Sequence, residues 1–153
     1  MAVLKTLAPL SVLFLGMALG QPARAQFAKG MREIDMVAND YSFQPLPEKI
    51  EAGTVIFAFA NQGKVLHEMG IARLKAGVVL DEVVKAFKEG ATGQDFFARS
   101  VGILVATPGK SPDGRLLVDL VPGSTYFVFC NLKDTPDAPS HMMLGMYTAF
   151  HVE

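Results

Sequence analysis

Apolar and polar residues alternate through REIDMVAND, placing Ile34, Met36 and Ala38 on one face, and this period of two predicts a half-buried strand. TVIFAFAN (54–61) is apolar on both faces and predicts a central strand covered from two sides. Strand-like runs recur at VLHEMGIARL (65–74), VGILVAT (101–107), GRLLVDLV (114–121), STYFVFCN (124–131) and LGMYTAFHV (144–152). Turn signals such as QGK, PGKSPDG and VPGS separate them. YSFQPLPEKIEAG (41–53) carries two prolines and a closing glycine, which predicts an irregular edge or crossover. A chain so punctuated reads as all-β, a two-sheet Greek-key sandwich of about seven or eight strands.

One stretch keeps a different period. In VVLDEVVKAFKEG, Leu80, Val84 and Phe87 recur at helical spacing, as do Val79, Val83 and Phe87. A helix near Leu80 to Glu89 is therefore expected between strands, with Val83, Val84 and Phe87 on the sandwich and Asp81, Lys85 and Lys88 in water. Gly90 supplies its C-terminal stop. GQDFFARS can add a turn or two. No internal repeat or interdomain linker interrupts the pattern, so one domain is expected.

The first 25 residues stand apart. Lys5 precedes an apolar run from Leu7 to Leu19, and Ala23-Arg24-Ala25 offers small residues at the positions that direct cleavage. This predicts a secretory signal peptide over residues 1–25 and a mature, exported domain over 26–153, periplasmic or secreted. The formal charge of the whole chain is −1, and removing Lys5 and Arg24 makes the remainder more acidic. That disfavours a nucleic-acid or anionic-membrane partner. No later segment is apolar enough to span a membrane, and a monomer is expected.

Export changes the meaning of the single cysteine, Cys130, which has no internal partner for a disulfide. An inter-chain bridge, a buried inert thiol and a metal ligand all remain open on composition. Cys130 alternates in phase with Tyr126 and Val128, so the three should share one face of their strand. The loop NLKDTPDAPS follows, then His141 and the methionines Met142, Met143 and Met146. His67 lies on a separate strand. Singly, each has an ordinary reading: a small buried hydrophobe, a surface histidine, gap-filling core sulfur. His151, near the chain end, reads as structural. Jointly, a thiolate, two imidazoles and a thioether make the donor set of a mononuclear electron-transfer copper site.

The same segments resemble a family. NQGKVLH resembles the first-histidine segment of cupredoxins, the plastocyanin and azurin type of small blue copper protein. PGSTYFVFC is similar to the strand that leads to their cysteine, and HMMLGM to their histidine followed by glycine and methionine. The resemblance implies a cupredoxin-like sandwich with one type 1 copper ion, held strongly by His67, Cys130 and His141 and weakly by Met146. The Cys130–His141 loop is longer than in many cupredoxins, and the nearer likeness is to exported bacterial cupredoxin-like proteins with a long proline-bearing loop. Glu68 stands where the family often ties its ligand loops together; it could be an outer acceptor or an oxygen ligand. The leading expectation is a one-electron carrier with a redox protein as partner. Copper storage or delivery, favoured by the methionines, and a metal-free interaction module are the alternatives. An enzyme is disfavoured: a Cys–His dyad can supply a nucleophile, but no oxyanion motif or orienting third residue accompanies it.

Overall fold

The computed structural model describes residues 31–153, so the expected leader over 1–25 lies outside the described residues. Nine strands and one α-helix are present among those residues. The strands are β1 (Arg32–Asn39), β2 (Ser42–Phe43), β3 (Lys49–Ile50), β4 (Gly53–Asn61), β5 (His67–Leu74), β6 (Phe97–Ala106), β7 (Leu116–Leu120), β8 (Thr125–Phe129) and β9 (Tyr147–Val152). They form two sheets, ordered β2-β1-β4-β7 and β3-β9-β8-β5-β6. The chain crosses repeatedly between the sheets, in the Greek-key manner expected.

The count exceeds the seven or eight strands predicted because the proline-rich stretch contributes two short pairings rather than none. Pro45 and Pro47 cannot donate to a ladder, so β2 and β3 are confined to two residues each on either side of them. β2 doubles back on β1 through Asn39 and Ser42. β3 runs parallel to the end of β9, pairing Ile50 with Val152. This excursion returns the chain so that β4 runs parallel to β1, with Met36 opposite Phe59. β6 also begins earlier than its apolar run, at Phe97, because that residue pairs with Leu74 beyond two register shifts against β5. Only a short 3-10 turn, Gly93–Asp95, precedes it where more helix was allowed for.

The alternation predicted for β8 holds. Tyr126, Val128 and Cys130 face the sandwich interior with Met36, Phe57, Phe59, Met69, Ile71, Met146 and Phe150. Tyr126 stacks on Phe150 at 5.3 Å between ring centroids. The other face of the five-stranded sheet is not left to water. Phe127 packs there with Leu74, Val83, Val84 and Met142, and Phe129, Phe87 and Phe97 lie against the same group.

The helix, α1 (Leu80–Lys88), supplies that cover. Val83 and Val84 are buried and Phe87 half-buried, while Asp81, Lys85 and Lys88 are exposed, as the period predicted. The acidic residues Asp81 and Glu82 sit in its first turn and Lys85 and Lys88 in its last, each favourable to the helix dipole. Gly90 ends it: the amides of Gly90 and Ala91 return to the carbonyls of Phe87 and Ala86. Because Met142 belongs to the same apolar group, the helix braces the turn that begins at His141. No helix among the described residues is long and apolar enough to cross a membrane.

Candidate metal centre

Three separate pieces of chain meet at one end of the sandwich. His67 is the first residue of β5, Cys130 follows the last residue of β8, and His141 opens a 3-10 turn, His141–Leu144. One donor atom from each lies within 4.8 Å of the others, and all three residues are buried. The Nδ1 atoms of His67 and His141 are 3.1 Å apart, and Cys130 Sγ is 3.3 Å from His141 Nδ1. The cluster is positioned to hold a single metal ion. Its burial also removes one alternative for the cysteine, since a thiol with no exposed surface cannot bridge two chains.

Backbone bonds hold these groups in place. The Met142 amide donates to the Cys130 carbonyl at 2.7 Å and the His141 amide to the Leu132 carbonyl at 2.8 Å. Cys130 donates to the Met146 carbonyl at 3.2 Å, and Met146 to the His141 carbonyl at 2.9 Å. The reversal between His141 and Met146 needs a left-handed residue, which Gly145 supplies at φ 108°. Met146 is thereby brought back beside Cys130, fully buried and in the same apolar group. Met69 shares that group, whereas Met142 lies in the group beneath the helix and Met143 packs against it. The methionines are divided between two faces of the sheet rather than gathered into one sulfur cluster.

Glu68 ties the loops together. Its carboxylate accepts the Asn131 amide at 2.7 Å, and its own amide points at Cys130 Sγ from 3.4 Å. The first-histidine strand and the cysteine loop are thus joined twice beside the thiol. His151 is exposed on β9, with Nδ1 3.3 Å from the Thr125 hydroxyl, and takes no part in the cluster.

Four contributors were not singled out from sequence. Asn61 is buried and makes three bonds: its side-chain amide donates to the carbonyls of Val65 and Ala106, and its oxygen accepts the Gly63 amide. An asparagine two residues before a glycine is a recognisable turn signal, and here the turn delivers His67. Asp134 lies within the long loop, its Oδ1 3.1 Å from His141 Nε2 and its Oδ2 accepting the Tyr41 hydroxyl at 2.6 Å. Asp40 Oδ1 accepts the Lys64 amide at 2.6 Å and stands 3.7 Å from His67 Nε2. No local pattern marks Asp40, Tyr41 or Asp134, because their roles depend on the fold bringing distant loops together.

The hydrogen-bond pattern assigns the tautomer of His141, whose Nε2 donates to Asp134 and leaves its Nδ1 lone pair facing the cluster. His67 Nδ1 faces His141 Nδ1 at 3.1 Å, and its Nε2 stands 3.7 Å from the Asp40 carboxylate. A proton on His67 Nε2, towards Asp40, leaves both Nδ1 lone pairs free for a metal. Burial, and then the neighbouring His141, holds His67 below the ordinary imidazole pKa. Burial pushes the Cys130 thiol up, against the opposing pull of the Glu68 and Leu132 amides. Asp134 is held below the usual carboxylate range, first by the Tyr41 hydroxyl. A neutral imidazole and a carboxylate are the forms in which these groups can serve a cation.

No family model matches the sequence. The copper-resistant cuproprotein CopI of Pseudomonas aeruginosa is 42% identical over 57 residues, which are 37% of this chain and 30% of CopI. The match therefore spans less than a third of that relative. Among solved structures, auracyanin B is similar with a TM-score of 0.53 and 18% identity, over 80% of this chain and 88% of that one. Auracyanin A, a "blue" copper protein from Chloroflexus aurantiacus, gives 0.52 and 16% over 81% of this chain and 100% of its own. Reduced auracyanin from Roseiflexus castenholzii gives 0.52 and 16%, over 79% and 96%. At such identities the likeness is one of fold: the chain has the cupredoxin fold.

Proposed function

We propose that the chain is an exported one-electron carrier with a single type 1 copper ion, held by His67, Cys130 and His141 with Met146 as a weak axial ligand. The observation that carries this reading is the convergence of two imidazole nitrogens and one thiol sulfur within 4.8 Å in a buried pocket. Copper bound there would cycle between Cu(I) and Cu(II), the thiolate and thioether favouring the first and the imidazoles accommodating the second. The chain's own contribution is rigidity. The bonds among Cys130, Leu132, His141, Met142 and Met146, with the Glu68 tie, fix the donor atoms before any metal arrives. Donors that need not move between oxidation states lower the reorganisation that electron transfer requires. The buried position also shields the thiol from oxidation.

Leu66 and Leu144 are exposed, one next to His67 in sequence and the other in the His141 turn. They offer apolar contact for a redox protein at the metal end. Auracyanin A is a "blue" copper protein by name, which supports the carrier reading. The name of the partial relative, a copper-resistant cuproprotein, favours a second reading in copper storage or delivery. Potentiometry separates them. A carrier should pass reversibly between both copper states in an oxidant–reductant titration, while a delivery protein should retain Cu(I) alone and yield no stable Cu(II) thiolate form. Among the described residues His67, Cys130 and His141 form a single cluster that could hold a metal.

Two further results are expected. Cu(II) must displace the Cys130 proton, and that thiol titrates above its ordinary range. Proton and metal compete, so apparent affinity should rise with pH, about tenfold per unit between neutrality and the thiol pKa. Below the ordinary imidazole range the slope should steepen as the His67 proton joins the competition. Competition titrations at several pH values, with copper activity buffered, measure this. Met146→Leu should keep copper and its colour but shift the reduction potential, because a weak axial thioether tunes the potential without being needed to hold the ion. Voltammetry of the two proteins gives the shift.

A further inference from the structure

The turn between β1 and β2 lies against both histidines. Asp40 approaches His67 Nε2 while bonded to the Lys64 amide, and Tyr41 bonds Asp134, which holds His141 Nε2. The Tyr41 ring stands edge-on to His141 at 5.1 Å and to His67 at 6.3 Å. Beneath it the two imidazoles are 1% and 0% exposed. The position is costly for the backbone. Tyr41 has φ 59°, the only positive value at a non-glycine residue among those described. An aromatic residue there is strained by about 1 kcal/mol or more, and glycine or asparagine would suit the turn better. A second constraint lies opposite: a Cβ on Gly63 would come within 2.5 Å of Asp40 Oδ1 and 3.0 Å of His67 Nε2. The chain therefore keeps a strained tyrosine in this turn and a bare backbone at Gly63 against Asp40 and His67.

We propose that the Asp40–Tyr41 turn is a clamp on the metal centre, and that solvent and metal reach His67 and His141 only when it opens. This rests on the copper reading for its metal arm, but the clamp itself is a property of the metal-free chain. Tyr41 acts on His141 through Asp134 and through ring contact, and so is a positioning residue. Its backbone strain is stored in the closed state, which keeps the clamp near the low-stability end of the local opening scale.

The test compares wild type with Tyr41→Gly, Tyr41→Phe and Gly63→Ala. In the metal-free proteins, diethyl pyrocarbonate acylates accessible neutral imidazoles. Wild type should react at His151 and be protected at His67 and His141. Tyr41→Gly loses both the charge-assisted hydrogen bond to Asp134 and the ring over His141, and should expose His141 at least roughly tenfold faster, while its melting temperature stays close to wild type because the strained φ is relieved. Tyr41→Phe, which keeps the ring, should fall between. Gly63→Ala should expose His67 by displacing Asp40. In the copper-loaded proteins, Tyr41→Gly should surrender Cu(I) to a chelator faster by a similar factor while retaining the Cu(II) charge-transfer band. Unchanged protection of His141 in Tyr41→Gly overturns the clamp. If wild type forms no copper–thiolate band, the copper reading fails, and the acylation result still decides for or against the clamp.

Discussion

Replacing Cys130 by serine is expected to abolish the thiolate-to-copper charge-transfer band and electron transfer, while the metal-free sandwich still folds. The band arises from covalency between sulfur and Cu(II), and the chain has one cysteine, so no other residue can supply it. The cysteine also begins the covalent path from the metal into β8, which pairs with β5 and β9 at the middle of its sheet. Serine nearly matches cysteine in size, and its oxygen can accept the Glu68 amide now directed at sulfur from 3.4 Å. The stability cost should therefore be only about 1 kcal/mol. Visible absorption after copper addition, beside thermal melts of the metal-free forms, measures both halves of the expectation.

The second large effect is expected at Asn61, through structure rather than ligation. Asn61→Ala removes three hydrogen bonds at a buried position, leaving the Val65 and Ala106 carbonyls and the Gly63 amide without this partner. At about 1 kcal/mol per bond the loss is about 3 kcal/mol, enough to lower the melting temperature by roughly 10 °C in a domain of this size. The damage should concentrate on the turn that presents His67. Copper should then be held more weakly, and the charge-transfer band broadened, in protein that remains folded at room temperature. Asn61→Asp is the informative companion, since it keeps the acceptor for Gly63 and loses both donors. Calorimetry and a copper competition titration together distinguish a loosened site from a merely less stable protein.

How much of this was legible before the fold was known depends on the range of each interaction. Strand alternation showed where Ile34, Met36, Ala38, Tyr126, Val128 and Cys130 would face, because side-chain direction along a strand is a local property. The helix was equally readable from Val83, Val84 and Phe87. The proline-bearing stretch was less so: whether Ser42–Phe43 or Lys49–Ile50 pairs depends on where β1 and β9 lie, which no window of sequence contains. The same division runs through the candidate site. His67, Cys130 and His141 could be singled out because thiol and imidazole are rare here and chemically distinctive, and the structure brings all three together. Asp40, Tyr41 and Asp134 are ordinary loop residues until the β1–β2 turn meets the long loop before His141. Glu68 was ambiguous between ligand and tie; its carboxylate accepts the Asn131 amide, and the side chains that gather their donor atoms are His67, Cys130 and His141.

The most direct measurement is a Cu(II) titration of residues 26–153 followed by visible absorption and electron paramagnetic resonance on the same samples. One equivalent should produce an intense sulfur-to-copper band and a narrow parallel hyperfine splitting, both lost on reduction and restored on oxidation. A spectrum typical of ordinary nitrogen and oxygen coordination, unchanged in Cys130→Ser, would contradict a copper centre built on His67, Cys130 and His141.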